Sequence, residues 1–183
     1  MAEVLNVAIV MALLLTLCLA VPLLTQGVTN TWYRANNQYL IGPMVNAALI
    51  YGAFRFKKGL NVVAIVLVPS ICMATLGLLG VNAVFMMYMI PCLWLGNIAI
   101  VCAFRFLKRY SIAAVVGITA KVTCVFGGFL ILRSFGVFPT AVAEQLFTMM
   151  GMVQIITATC GALLAYGAVK ISAGRQLARQ QGG

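Results

Sequence analysis

Five polar side chains set inside apolar runs mark where this sequence could do chemistry: Asn46, Trp94, Asn97, Lys121 and Gln154. Lys121 carries the strongest signal. An ammonium near the centre of a bilayer costs at least ~2.5–3.5 kcal/mol unless it is paired, so intramembrane lysines mark functional positions. Lys121 belongs to a stripe of Ala114, Gly117, Cys124 and Gly128 at three- and four-residue spacing. Small residues at that spacing let two helices approach closely, which turns Lys121 toward a neighbouring helix and away from lipid. A second stripe, Met150, Gly151, Gln154, Thr157, Ala158 and Gly161, aims Gln154 inward in the same way. Counted from the ends of their apolar runs, Asn46, Trp94, Lys121 and Gln154 fall near mid-depth. Asn97 lies about one turn nearer one end and shares a helical face with Trp94.

Together these residues offer one cation, several amides, a large aromatic ring and no acid. That lining suits a neutral or anionic organic molecule with a ring to stack and a carboxylate or carbonyl to bind. The segment 88–97 supplies one wall, with Tyr88, Trp94 and Asn97 as contacts and Pro91 expected to bend its helix. A plainer reading stays open beside it, in which Lys121 snorkels toward Glu144 or backbone carbonyls while the amides only bridge helices. Catalysis is not expected. The sequence has no His and no Asp, no nucleophile with a base beside it, and no Gly-rich phosphate loop. Its six cysteines all lie in apolar runs without a CxxC pair, so they read as small buried hydrophobes and no metal site or cofactor is expected. Ion-coupled carriers usually keep carboxylates in their spans. The two acids here are Glu3 and Glu144, the latter at the end of a span.

The elements that must position these residues are membrane helices. Hydrophobic residues make up 64% of the chain and charged residues 8%, whereas a soluble domain carries about 25% charged residues. Six apolar runs are long enough to cross a bilayer, at about 4–24, 39–54, 60–79, 83–104, 111–132 and 141–171. The fold expected is an all-α integral membrane protein, one bundle of six transmembrane helices. The net charge of +10 would suggest nucleic acid in a soluble protein. Here the basic residues cluster between spans, so they set orientation in the lipid bilayer and no nucleic acid is expected. One side carries nine of them (Arg55, Lys57, Lys58, Arg105, Lys108, Arg109, Lys170, Arg175, Arg179) and the other has Arg34 and Arg133. By the positive-inside rule both termini are cytoplasmic.

Between the first two spans, residues 25–38 form the most polar stretch. Trp32 and Tyr33 fit an interfacial belt beside Arg34, and the loop reads either as a lid over a site or as a solvated loop. Gly42-Pro43 suggests that regular helix starts at Pro43, leaving 39–42 as a non-helical entry. The segment Ile50-Tyr-Gly-Ala-Phe-Arg-Phe-Lys-Lys58 recurs as Ile100-Val-Cys-Ala-Phe-Arg-Phe-Leu-Lys108. The echo fits parallel repeats of spans two–three and four–five, or similar anchors at each cytoplasmic helix end. Residues 172–183 read as a flexible tail.

Three patterns resemble a known family. They are Gly42-Pro43-Met-Val45-Asn46-Ala47 in the second span, Met89-Ile90-Pro91 followed by Gly96-Asn97 in the fourth, and Ala8 with Ala12 in the first. With six spans in 183 residues, the chain resembles the substrate-binding S components of energy-coupling factor (ECF) transporters, in a subgroup of unassigned substrate. The resemblance implies a prokaryotic plasma-membrane subunit that captures a small, vitamin-like micronutrient from outside. It further implies association with a transmembrane T subunit and two cytoplasmic ATPases, with Ala8 and Ala12 facing the T subunit and Trp32, Tyr33 and Arg34 in a lid loop. One departure is Cys92, since the residue after that proline is often aromatic in the subgroup. Two other classes remain beside this one: a structural or assembly subunit of a membrane complex, and a redox subunit using the cysteines.

Overall fold

The computed structural model describes residues 38–56, 61, 63–67, 70–71 and 83–181, with Ala12 and Thr16, and the side chains of its last helix as far as Ile171. Among these residues the chain is helical, with no strand. The helices are α1 (Gln38–Arg55), α2 (Ala83–Phe106), α3 (Tyr110–Ser134), α4 (Thr140–Met150) and α5 (Met152–Gln181), with a short helical piece at 63–67. Three stretches are long and apolar enough to cross a membrane: Val84–Phe106, Tyr110–Ser134 and Thr140–Ile171. Their outward faces carry Leu95, Ile98, Val115, Val116, Ile131, Leu163 and Leu164, all exposed. Such a surface suits hydrocarbon and not water.

Glycines set the helix pairings. A Cβ at Gly96 would lie 2.8 Å from Val125 and 3.1 Å from the Lys121 carbonyl, and one at Gly117 would lie 3.0 Å from Ala103. A Cβ at Gly128 would overlap the Cys92 sulfur. These contacts run in opposite directions along the two chains, so α2 and α3 are antiparallel neighbours. An aromatic ring in place of Cys92 would have no room against Gly128, which accounts locally for the small residue there. On the other side of α1, a Cβ at Gly42 would meet Thr157 at 2.7 Å, and one at Gly161 would strike Asn46 and the Pro43 carbonyl. Both members rise together, so α1 and α5 run parallel at backbone contact distance.

Two apolar clusters form along the bundle. One gathers Leu49, Ile50, Phe56, Ile65, Ile100, Phe104, Ala113, Ala158 and Ala162. The other gathers Met86, Met89, Val125, Phe129, Phe138, Leu146 and Met150. At the first end, Phe104 lies 5.0 Å from Tyr110, Tyr110 5.0 Å from Tyr166, and Phe54 5.9 Å from Phe104. Lys170 sits 4.8 Å over the Tyr166 ring. This aromatic layer puts the C-terminal ends of α1 and α2, the start of α3 and the later turns of α5 at one level, where Arg55, Arg105, Lys108 and Arg109 gather. Phe54 and Phe104, equivalent in the sequence echo, therefore share a level. Phe104 is buried and Phe54 exposed, while Phe56 is buried and Phe106 exposed, so the match is one of depth and not of facing.

Two sequence expectations change. Residues 39–42 are helical, because α1 starts at Gln38 and carries Pro43 within it. That proline leaves one carbonyl, at Tyr39, without its partner, a small loss so near a helix start. The sixth span stays one apolar stretch, Thr140–Ile171, with a break in helix regularity at Gly151 between α4 and α5. Finally, α5 continues to Gln181, through residues the composition reads as a loose tail. Alanine, leucine, arginine and glutamine there are all good helix formers. At the other end of α3, Gly136 adopts φ 72° and its N–H bonds the Arg133 carbonyl at 3.0 Å, closing the helix before Pro139 opens α4.

Candidate functional site

Between the two apolar clusters lies a polar layer. Lys121 is the twelfth residue of the 25-residue α3, about 16 Å along the axis from Tyr110 at ~1.5 Å per residue. Its buried row is Ala113, Gly117, Lys121, Val125 and Phe129, spaced by four, which follows the packing face against α2. Lys121 is 3% exposed, Asn46 2% and Asn97 8%.

The Lys121 Nζ donates to Asn46 Oδ1 at 2.5 Å and to Asn97 Oδ1 at 2.7 Å. Side chains from α1, α2 and α3 thus meet on one nitrogen. Because an ammonium only donates, both amides must turn their oxygens toward it. Distances this short are those of charge-assisted bonds. Hydrogen bonds to a charged group contribute about 1.5–3 kcal/mol each, so two of them are enough to offset the ~2.5–3.5 kcal/mol that a lysine would cost at the centre of a bilayer. Lys121 therefore neither reaches Glu144, which is exposed on α4, nor relies on backbone carbonyls.

Glycine packing explains how these residues reach each other. Gly96 lets α2 settle against the Lys121 backbone, and Asn97 follows directly. Gly161 lets α5 press on Asn46, holding that amide toward α3. Trp94 lies one turn before Asn97 on the same side of α2 and packs on the apolar cluster shared with α1 and α5. Its ring is partly buried, and its Nε1–H is the one buried side-chain polar atom among the described residues without a hydrogen-bond partner.

The other expected site residues fall elsewhere. Gln154 is buried, but its Nε2 reaches the Met149 carbonyl at 3.5 Å, across the helix break. Since Gly161 marks the level of Asn46 on α5, Gln154 sits two turns away, about 10 Å along the axis. Counting from the ends of the 141–171 run puts Gln154 near its middle, whereas the α5 residue level with Asn46 is Gly161. Tyr88 is 52% exposed and its neighbour Met89 is buried, so Tyr88 stands on the outer face of α2. Trp32, Tyr33, Arg34 and Ala8 lie outside the described residues, while Ala12 is helical and exposed. Thr157 fits against Gly42 and donates to the Gln154 carbonyl at 3.4 Å; the sequence reading placed it in the inward stripe but left it out of the site. That reading missed Tyr110, whose hydroxyl donates to the Ala162 carbonyl at 2.5 Å. The four-residue spacing of Thr157 with Gly161, and of Ala158 with Ala162, was the available signal for that packing face.

No protein-family model, curated protein or solved structure matches this chain.

Proposed function

We propose that the chain is the membrane-embedded substrate-binding subunit of an ATP-driven importer of the energy-coupling factor type. It captures a small organic micronutrient from outside through six spans, with both termini in the cytoplasm. A T subunit and two ATPases supply the energy, so the chain itself is not an enzyme. One observation carries the reading. The two longer motifs behind the family resemblance, 42–47 and 89–97, meet at a single atom, because Asn46 and Asn97 both accept from Lys121. Among the described residues the one acid, Glu144, is exposed on α4, so it does not pair with that buried cation. Gathering the aromatic layer and Arg55, Arg105, Lys108 and Arg109 at one end supports the proposed orientation, with that end in the cytoplasm.

Untargeted mass spectrometry of growth medium tests the reading, comparing cells that express the chain together with a T subunit and ATPases against cells lacking the chain. One compound should be depleted only with the chain present, and Lys121→Met should abolish that depletion. No difference in the medium would overturn it.

A second reading rests on the same bonds seen from inside. Lys121 ties three helices together, as a structural or assembly subunit of a membrane complex requires. For that non-transporting role, Lys121→Ala disrupts assembly or stability while leaving micronutrient uptake by the cells unaffected.

A further inference from the structure

Resting on the proposed binding role, the donor and acceptor balance of the polar layer narrows its ligand. Lys121 brings three N–H groups, Trp94 one, and Asn46 and Asn97 two each, while the acceptors among these side chains are the two amide oxygens. Both oxygens already take bonds from Lys121. The indole N–H of Trp94 is buried without a partner, and a buried donor in that state is costly. Glu144 is exposed on α4, and Gln154 is turned to the Met149 carbonyl. Among the described residues the layer is thus rich in donors and short of acceptors, and its one ionisable side chain is a lysine.

We infer that this layer binds the carboxylate of a small ligand, with Lys121 and the Trp94 indole N–H as its donors. A carboxylate only accepts, carries two oxygens able to serve two donors, and neutralises the lysine. A neutral amide fits less well, because its own NH2 would add donors where donors are already in surplus. Lys121 then shares its bonds between the two asparagines and the ligand, while the faces of the Trp94 ring remain apolar contact surface.

Nitrogen-15 indole NMR of the full chain in detergent micelles tests this. The chain has two tryptophans, and the Trp94 signal is assigned by its loss in Trp94→Phe. The probes are benzoate and its neutral counterpart benzamide. Benzoate should move the Trp94 N–H signal downfield saturably, at a concentration at least about tenfold lower than benzamide requires. Asn97→Asp places a carboxylate beside Lys121 within the chain. It should raise the unfolding temperature and abolish the benzoate response, which keeps the test independent of whether Lys121 variants fold. Equal responses to the two probes would overturn the carboxylate assignment and leave the binding-subunit reading standing. So would a Trp94 signal that moves with neither, or an Asn97→Asp chain that still responds to benzoate. The binding-subunit reading falls separately, if the growth medium shows no depletion.

Discussion

Asn97→Val measures the value of the Lys121 layer directly. The substitution removes the oxygen that accepts from Lys121 at 2.7 Å and keeps a side chain of similar bulk in a buried position. A hydrogen bond to a charged group is worth about 1.5–3 kcal/mol, and some of that returns as the flexible lysine adjusts, so about 2 kcal/mol should be lost. For a chain of this size that corresponds to a fall of roughly 4–8 °C in Tm. The assay is thermal unfolding of purified protein in detergent, followed by loss of helical circular dichroism. Lys121→Met supplies the control. It removes both bonds and leaves the Asn46 and Asn97 oxygens buried without that donor, so it should cost at least as much as Asn97→Val. In the Lys121→Met background, Asn97→Val should then cost almost nothing, giving a coupling of about 1–2 kcal/mol between the two positions. Equal costs of Asn97→Val in both backgrounds would refute the reasoning, since the two side chains would then act independently.

Three further outcomes follow from the packing. Gly161→Ala should destabilise by about 2–3 kcal/mol, in the range of overpacked cores, because the new methyl meets the α1 backbone at Pro43 and Ala47. Gly127→Ala, with nothing within 4 Å of its Cβ, should instead be neutral or stabilise by up to about 1 kcal/mol; the same unfolding assay compares them. Tyr110→Phe deletes the bond to the Ala162 carbonyl and should cost about 0.5–1.5 kcal/mol with no effect on ligand capture, read by unfolding and by medium depletion in parallel. Reporter fusions after Gly183 and after Arg133 test orientation, the first expected on the cytoplasmic side and the second outside.

How far the sequence disclosed this arrangement differs by residue. Lys121 could be placed inward because small residues flank it at helical spacing, and the amides of Asn46 and Asn97 could be placed near its depth by counting. That both oxygens converge on one nitrogen was not legible, since it depends on the register between three helices. That register is set by single-atom clearances at Gly96, Gly117 and Gly161. Gln154 was misplaced in depth because it lies near the middle of the 141–171 run, while the α5 residue level with Asn46 is Gly161, a match set by helix packing and not by the ends of the run. Tyr88 was grouped with Trp94 by proximity in sequence, yet six residues along a helix turn the side chain to a different face. The helical start before Pro43 shows a related limit. Proline marks a favoured first position, but the packing of Gly42 on Thr157 holds the preceding turn helical as well.

The central claim is that the Lys121 layer exists to hold a small molecule. Native mass spectrometry of the full chain, wild type beside Lys121→Met, tests it most directly. The wild-type chain should carry a bound small molecule of one defined mass, and Lys121→Met should appear folded and bare. A wild-type chain that stays bare even when purified with T and ATPase subunits would contradict the claim.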